Sequence, residues 1–162
     1  MFQIPEDLPE PLFPLAWMLG RWEGVGLFSY PTIEAGRFGQ ELDITNDGRD
    51  FFAWSSRTWV LDEEGNRVRQ HDTESGFLRI RDDKPELMLA HPTGVVEIFT
   101  GTIEPAKLLL PLSNAMRTAS ADEYVQGERM YGLVNGELFY AVDMEAQGHP
   151  MSTYMSAQLR RV

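Results

Sequence analysis

The amino-acid sequence predicts an all-β fold: a ten-stranded antiparallel barrel with a short N-terminal helix, one domain over residues 1–162. Three observations predict it. Most of the chain is built of short segments that alternate apolar and polar residues between turn signals. A glycine-rich run, Gly20-Arg21-Trp22-Glu23-Gly24-Val25-Gly26, leads into such a segment, whereas a phosphate-cradling loop would lead into a helix. With about ten strands, closing the sheet is the simplest way to leave no edge exposed.

In chain order, the stretch from Pro9 to Leu19 reads as a short helix packed under one end of the barrel. The first strand, 22–30, puts Trp22, Gly24, Gly26 and Phe28 on one face and Glu23, Val25, Leu27 and Ser29 on the other; it stops at Tyr30-Pro31. Glycines on one face mark bends or places where another backbone comes close, and the Trp22 indole beside them suits a plugged barrel end. Strand 37–46 ends at Asn46-Asp47-Gly48, 51–61 at the turn 62–66, and 68–80 at the charged run Arg81-Asp82-Asp83-Lys84-Pro85. Further strands are expected at 86–91, 94–102, 107–112, 116–125, 128–134, 137–145 and 153–161. His91-Pro92-Thr93-Gly94, Val134-Asn135-Gly136 and Gly148-His149-Pro150 read as turns, because Asn and Gly tolerate positive φ.

The bulk numbers exclude several classes. A net charge of −11 argues against nucleic acid or an anionic membrane surface as partner. The chain has no cysteine, so disulfides, thiolate nucleophiles and zinc–cysteine sites are excluded. The acidic, proline-bearing first ten residues lack the features of a signal peptide, and no apolar run is long enough to span a membrane; a cytoplasmic protein is expected.

Of the three histidines, His71, His91 and His149, none shows metal-ligand spacing, and each reads as a turn or capping residue. Glu23, Glu34, Glu41, Glu74 and Glu97 read mostly as solvated strand faces. Arg37, Arg57, Arg69 and Arg79 sit mid-strand; one or two of them can point inward if paired, and surface positions are otherwise expected.

The blocks Gly20–Gly26, Tyr30-Pro31-Thr32-Ile33-Glu34, Phe38-Gly39-Gln40-Glu41, Arg57-Thr58-Trp59 and Glu74-Ser75-Gly76-Phe77-Leu78-Arg79 are followed by Leu89-Ala90-His91-Pro92-Thr93-Gly94-Val95-Val96-Glu97. Thr118-Ala119-Ser120-Ala121 and Gln158-Leu159-Arg160-Arg161 complete the series. In this order they resemble the nitrobindin family of lipocalin-like, fatty-acid-binding-protein-like barrels. The resemblance implies a ferric haem b protein that binds nitric oxide and isomerises peroxynitrite to nitrate. It also implies an axial histidine in a last-strand segment P-x-x-x-H-L-x-A-x-L and a lysine in T-x-S-A-K-E. Here those positions hold Tyr154 and Asp122, and a carboxylate at 122 repels a haem propionate that a lysine would attract. Strand alternation groups Tyr154 with Ser152, Ser156 and Gln158, opposite Met155, Ala157 and Leu159, which predicts a polar rim for it.

The sequence therefore predicts a nitrobindin-like barrel without ordinary haem ligation, binding a small apolar ligand, with no cofactor expected. The alternative is a ferric haem protein with Tyr154 as axial ligand, since phenolate binds ferric haem, or with His149 swung in from its turn. A homodimer through a sheet face is a further expectation.

Overall fold

The structure, a computed structural model, describes residues 2–162. A 3-10 helix (Glu10–Met18) precedes eleven strands: β1 (Gly20–Tyr30), β2 (Ile33–Thr45), β3 (Phe52–Leu61), β4 (Arg67–Arg81), β5 (Lys84–Ala90), β6 (Val95–Thr100), β7 (Thr102–Glu104), β8 (Lys107–Arg117), β9 (Tyr124–Val134), β10 (Glu137–Ala146) and β11 (Ser152–Arg161). They form one antiparallel sheet in the order β6-β5-β4-β3-β2-β1-β11-β10-β9-β8-β7. A further pairing, β6 with β8, closes ten strands into the expected barrel. The three-residue β7 lies beside β8, outside the closed ring.

The core follows from the alternation. Trp22 and Phe28 of β1 point inward while Val25 and Leu27, each 60% exposed, point out. Trp22, Phe38, Phe52, Trp54, Phe99 and Tyr131 fill the interior with their largest faces. The helix buries Leu12, Leu15 and Met18 across the end where β1 begins, and the Trp22 Nε1–H donates to the Met18 carbonyl at 2.8 Å. Arg161 finishes that plug: its guanidinium lies 4.2 Å from the Trp22 ring centroid and donates to the Trp17 carbonyl at 2.8 Å. Gly20, at φ +129°, passes directly under the Arg161 side chain.

Gly24 and Gly26 lie where β1 meets β11, in register with Leu159 and Ala157. A Cβ at Gly24 would stand 2.2 Å from the Gln158 carbonyl oxygen, and one at Gly26 2.3 Å from that of Ser156. The glycines are thus required by the close approach of another backbone.

Two expected strand boundaries are corrected. β8 runs unbroken through Pro111 to Arg117, and residues 118–123 form a loop, so the expected strand 116–125 does not exist as a unit. That loop satisfies its own backbone: the Ala121 N–H donates to the Thr118 carbonyl at 3.1 Å, and Arg117 Nη1 donates to the Ala121 carbonyl at 2.9 Å. The expected strand 94–102 divides at Gly101, whose backbone passes so close to Leu109 that a Cβ would lie 1.7 Å from the Leu109 oxygen.

Gly24→Ala is expected to push β1 from β11 and lower the unfolding free energy by about 1–3 kcal/mol, as overpacking does. A urea midpoint unchanged from wild type would contradict the tight seam.

Candidate functional site

The end of the barrel opposite the helix holds a cavity of about 450 Å³. Aromatic and polar side chains share its walls: Tyr30, Tyr140 and Tyr154 with Gln40, Ser56 and Thr58. Its mouth is framed by loops that touch one another. Gln147 contacts Thr32 Oγ1 and donates through Nε2 to Asp122 Oδ2 at 3.2 Å, while its backbone N–H donates to the Glu123 carbonyl at 3.0 Å.

Two β-bulges aim the cavity's most chemically distinctive pair. On β11, Met155 pairs with Val142 and Thr153 with Asp143, so Tyr154 is an extra residue without a partner. Alternation slips there, and Tyr154 lines the cavity together with Met155 instead of opposing it. The polar-rim expectation for Tyr154 is corrected accordingly: the ring packs against the core and meets Tyr30 edge-on at 6.2 Å. On β4 the register also shifts: Arg57 pairs with Thr73 and Trp59 with Gln70, leaving His71 and Asp72 opposite Thr58 alone. Thr58 Oγ1 fills this bulge, accepting from the Asp72 N–H at 2.9 Å and donating to the Asp72 carbonyl at 3.2 Å. Both His71 and Asp72 then face the cavity.

The bulges bring Tyr154 and His71 together. The phenol O–H donates to His71 Nε2 at 3.0 Å, and the imidazole stacks on Phe28 at 4.4 Å. Burial lowers the His71 pKa, so the ring is neutral at neutral pH and its Nε2 is an acceptor. Burial, with Asp72 and Glu74 nearby, raises the Tyr154 pKa well above the ordinary phenol value, so the phenol keeps its proton.

The cavity floor is ionic. Arg129 on β9, 5% exposed, donates two bonds to Glu74: Nη1 to Oε1 at 3.0 Å and Nη2 to Oε2 at 2.8 Å. Its Nη1 also reaches the Tyr131 hydroxyl at 3.1 Å, and Nη2 lies 3.5 Å from Glu97 Oε1. Trp54 Nε1–H donates to Glu74 Oε1 at 3.0 Å and the Tyr124 O–H to Glu97 Oε2 at 2.6 Å. His91, in the turn between β5 and β6, bonds Glu97 through Nε2. Burial alone would lower its pKa, but the surrounding Asp72, Glu97 and Glu74 carboxylates win and raise it to about 10. Glu97 is held below the ordinary carboxylate range: burial opposes this, and His91, Arg129 and Tyr124 together overcome it.

The expected site residues fall in three places. Tyr154 lines the cavity and Asp122 sits at its exposed mouth. His149 stays in its turn, edge-on to Tyr30 at 6.0 Å, away from the cavity wall. The motif residues Gly20, Trp22, Gly24 and Gly26 build the seam and plug at the far end. Several expectations are corrected. Glu74 and Glu97 are buried, and His71, expected in a turn or cap, lines the cavity from β4; His91 keeps the turn position expected of it while its ring lines the cavity. The inward arginine is Arg129; Arg37, Arg57 and Arg69 are exposed, and Arg79 is half-buried beside Glu86 at 3.4 Å.

Removing one partner of this buried charge cluster leaves the others uncompensated. His91→Gln is expected to cost about 3 kcal/mol near neutral pH. Because the folded-state pKa lies above the ordinary 6.5, that contribution is fully present below pH 6.5 and fades as the pH rises toward 10. Urea unfolding of both proteins across that range checks it; a gap that stays constant or widens with pH would contradict the protonated His91.

Comparison with known proteins agrees with the architecture. Residues 11–161 match the family described as THAP4-like, heme-binding beta-barrel domain. A protein named peroxynitrite isomerase from Nocardioides sp. is 45% identical over 99% of this chain and 98% of its own. A ferric nitrobindin-like protein from Kineococcus radiotolerans is 43% identical over 96% of each chain. The crystal structure of Rv2717c from M. tuberculosis superposes with a TM-score of 0.86 and 31% identity, covering 96% of this chain and 99% of that one. An S-type phycobiliprotein lyase, CPES from Guillardia theta, shares the fold alone, at a TM-score of 0.59 and 14% identity. With a match that spans almost the whole chain and relatives this similar, the protein belongs to the nitrobindin family of heme-binding-type β-barrels.

Proposed function

We propose that this protein is a small-ligand-binding member of the nitrobindin family that does not hold haem through a histidine. The Tyr154–His71 hydrogen bond carries the reading. Tyr154 occupies the position that the family resemblance gives to the axial ligand, and there it is a protonated phenol whose hydroxyl is already engaged. The cavity's imidazoles are committed as well, His71 to Tyr154 and His91 to Glu97. Asp122 and Glu123 at the mouth add negative charge that would repel the propionates of a haem. These residues do not fit haem held in the family's manner. They suit a compact ligand that offers apolar surface to Tyr30, Tyr140 and Met155 and acceptors to Gln40 Nε2 and the Ser56 hydroxyl, which keep donor protons beyond their mutual bond.

A second reading is kept because one observation favours it. A neutral imidazole that accepts the phenol proton is the partner a tyrosine needs to become an oxygen donor to a ferric centre, since the proton has a place to go. In that reading the protein binds nitric oxide or isomerises peroxynitrite to nitrate, as the family resemblance implies; its relative from Nocardioides is named peroxynitrite isomerase.

Hemin titration of wild type, Tyr154→Phe and Tyr154→His, followed in the Soret region, separates the two. The proposal expects no saturable change with wild type or Tyr154→Phe, and a gained Soret band with Tyr154→His. A saturable wild-type spectrum of ferric-tyrosinate type, abolished by Tyr154→Phe, overturns it in favour of the second reading.

A further inference from the structure

We propose that Asp72, Glu74 and His91 form a site for one divalent transition-metal ion on the cavity floor, with its open coordination positions facing the cavity. This is a non-haem site, independent of whether anything binds at Tyr154.

The geometry comes first. One ligand atom from each of the three side chains lies within 4.8 Å of the others. His91 Nδ1 is 3.5 Å from Asp72 Oδ2 and 4.0 Å from Glu74 Oε2. Ligands held at roughly 2.1 Å around a tetrahedral ion stand roughly 3.4 Å apart. Of the three pairs, His91–Asp72 already has that spacing; His91–Glu74 and Asp72–Glu74, the latter within 4.8 Å, reach it when Glu74 Oε2 shifts toward the ion and away from the Arg129 Nη2 that donates to it at 2.8 Å. The same Nδ1 makes only a long contact to Asp72, beyond the roughly 2.7–3.2 Å of a well-formed N–H···O bond, and it faces the cavity.

The groups around the three ligands fix their orientation. His91 gives its other nitrogen, Nε2, to Glu97, the carboxylate–histidine arrangement that orients metal-binding imidazoles. Glu97 is itself held by the Tyr124 O–H at 2.6 Å. Glu74 Oε1 is held by Trp54 and Arg129, each at 3.0 Å, and Asp72 Oδ1 accepts the Thr73 N–H at 2.8 Å. Each ligand is therefore pre-set by a partner that lies outside the triad or on its own backbone.

The charges around the triad also favour a cation. Asp72, Glu74 and Glu97 all approach His91, and one guanidinium, Arg129, offsets the buried Glu74 and Glu97, leaving two negative charges around the imidazole. A proton on His91 offsets one of them; a divalent ion with neutral His91 offsets both. One imidazole and two carboxylates, with no thiolate in the chain, is a donor set for Zn²⁺, Mn²⁺, Fe²⁺ or Co²⁺. All three residues line the 450 Å³ cavity, which gives an ion its entry and leaves room for a ligand on it.

The test uses Co²⁺ as the probe, titrated into full-length protein freed of metal by chelation. Visible absorption reads the coordination, and a thermal melt reads the fold of every variant. The proposal expects one equivalent of Co²⁺ with a visible band, displaced by Zn²⁺, and a raised melting temperature. Asp72→Asn, close to isosteric, should weaken binding by roughly tenfold or more while remaining folded, as loss of a metal-site partner does. Glu104→Gln, on β7 outside the closed ring, should leave binding unchanged. Absence of saturable Co²⁺ binding in folded wild type overturns the site, as does binding that survives Asp72→Asn or is lost with Glu104→Gln. Neither outcome bears on the hemin titration, so the two proposals fail separately.

Discussion

A guanidinium enclosed by a β-barrel has to be met by carboxylates, and this requirement shapes the functional half of the molecule. Arg129 is 5% exposed, too little for water alone to solvate it. It draws Glu74 from β4 and Glu97 from β6, and these in turn fix Trp54, Tyr124 and His91. Strands on different sides of the barrel are thereby joined through its interior and not only through the ladder. The interaction is poor evidence of added stability, since an apolar replacement of the whole cluster is often neutral or better. Its consequence is specificity: a barrel with this floor presents ionised groups to whatever enters, unlike one lined by leucines.

The bulges supply the second constraint. An unbroken β11 would turn Tyr154 away from Met155, and an unbroken β4 would turn His71 away from Asp72. One extra residue in each strand re-aims both side chains, so phenol and imidazole meet at 3.0 Å inside the cavity. The two ends of the barrel are thus differently built. Where β1 begins, glycines, Trp22 and the helix pack backbone against backbone and leave no space. Where β1 ends, irregular strands leave a cavity and line it with hydrogen-bonding groups.

The fold was legible because its signals are local and regular. The alternation of Trp22, Gly24, Gly26 and Phe28 against Val25 and Leu27 is visible in the sequence and is what the barrel seam uses. The turns at Asn135-Gly136 and Gly94 carry the positive φ their residues allow. The site was much less legible. Alternation is the very rule a bulge breaks, so it placed Tyr154 on the wrong side and gave no hint of His71. Glu74 and Glu97 read like ordinary charges on strand faces and Arg129 was not singled out, because pairing across the interior links residues far apart in the chain. A signal for them existed in parity: Arg129 shares its face with Gly127 and Tyr131, and Glu97 shares its face with Phe99, so these charges alternate in phase with core residues. The family resemblance pointed to position 154 as decisive, but the partner that defines its chemistry, His71, came only from the three-dimensional arrangement.

The account rests on two imidazoles in one cavity holding opposite protonation states, and nitrogen-resolved NMR of the histidine rings in metal-free protein at neutral pH measures this directly. It predicts a neutral His71 whose Nε2 carries no proton and accepts from Tyr154, beside a His91 protonated on both nitrogens. A protonated His71, or a neutral His91, would contradict the account, because the phenol would lose its acceptor or the acidic floor its compensating charge.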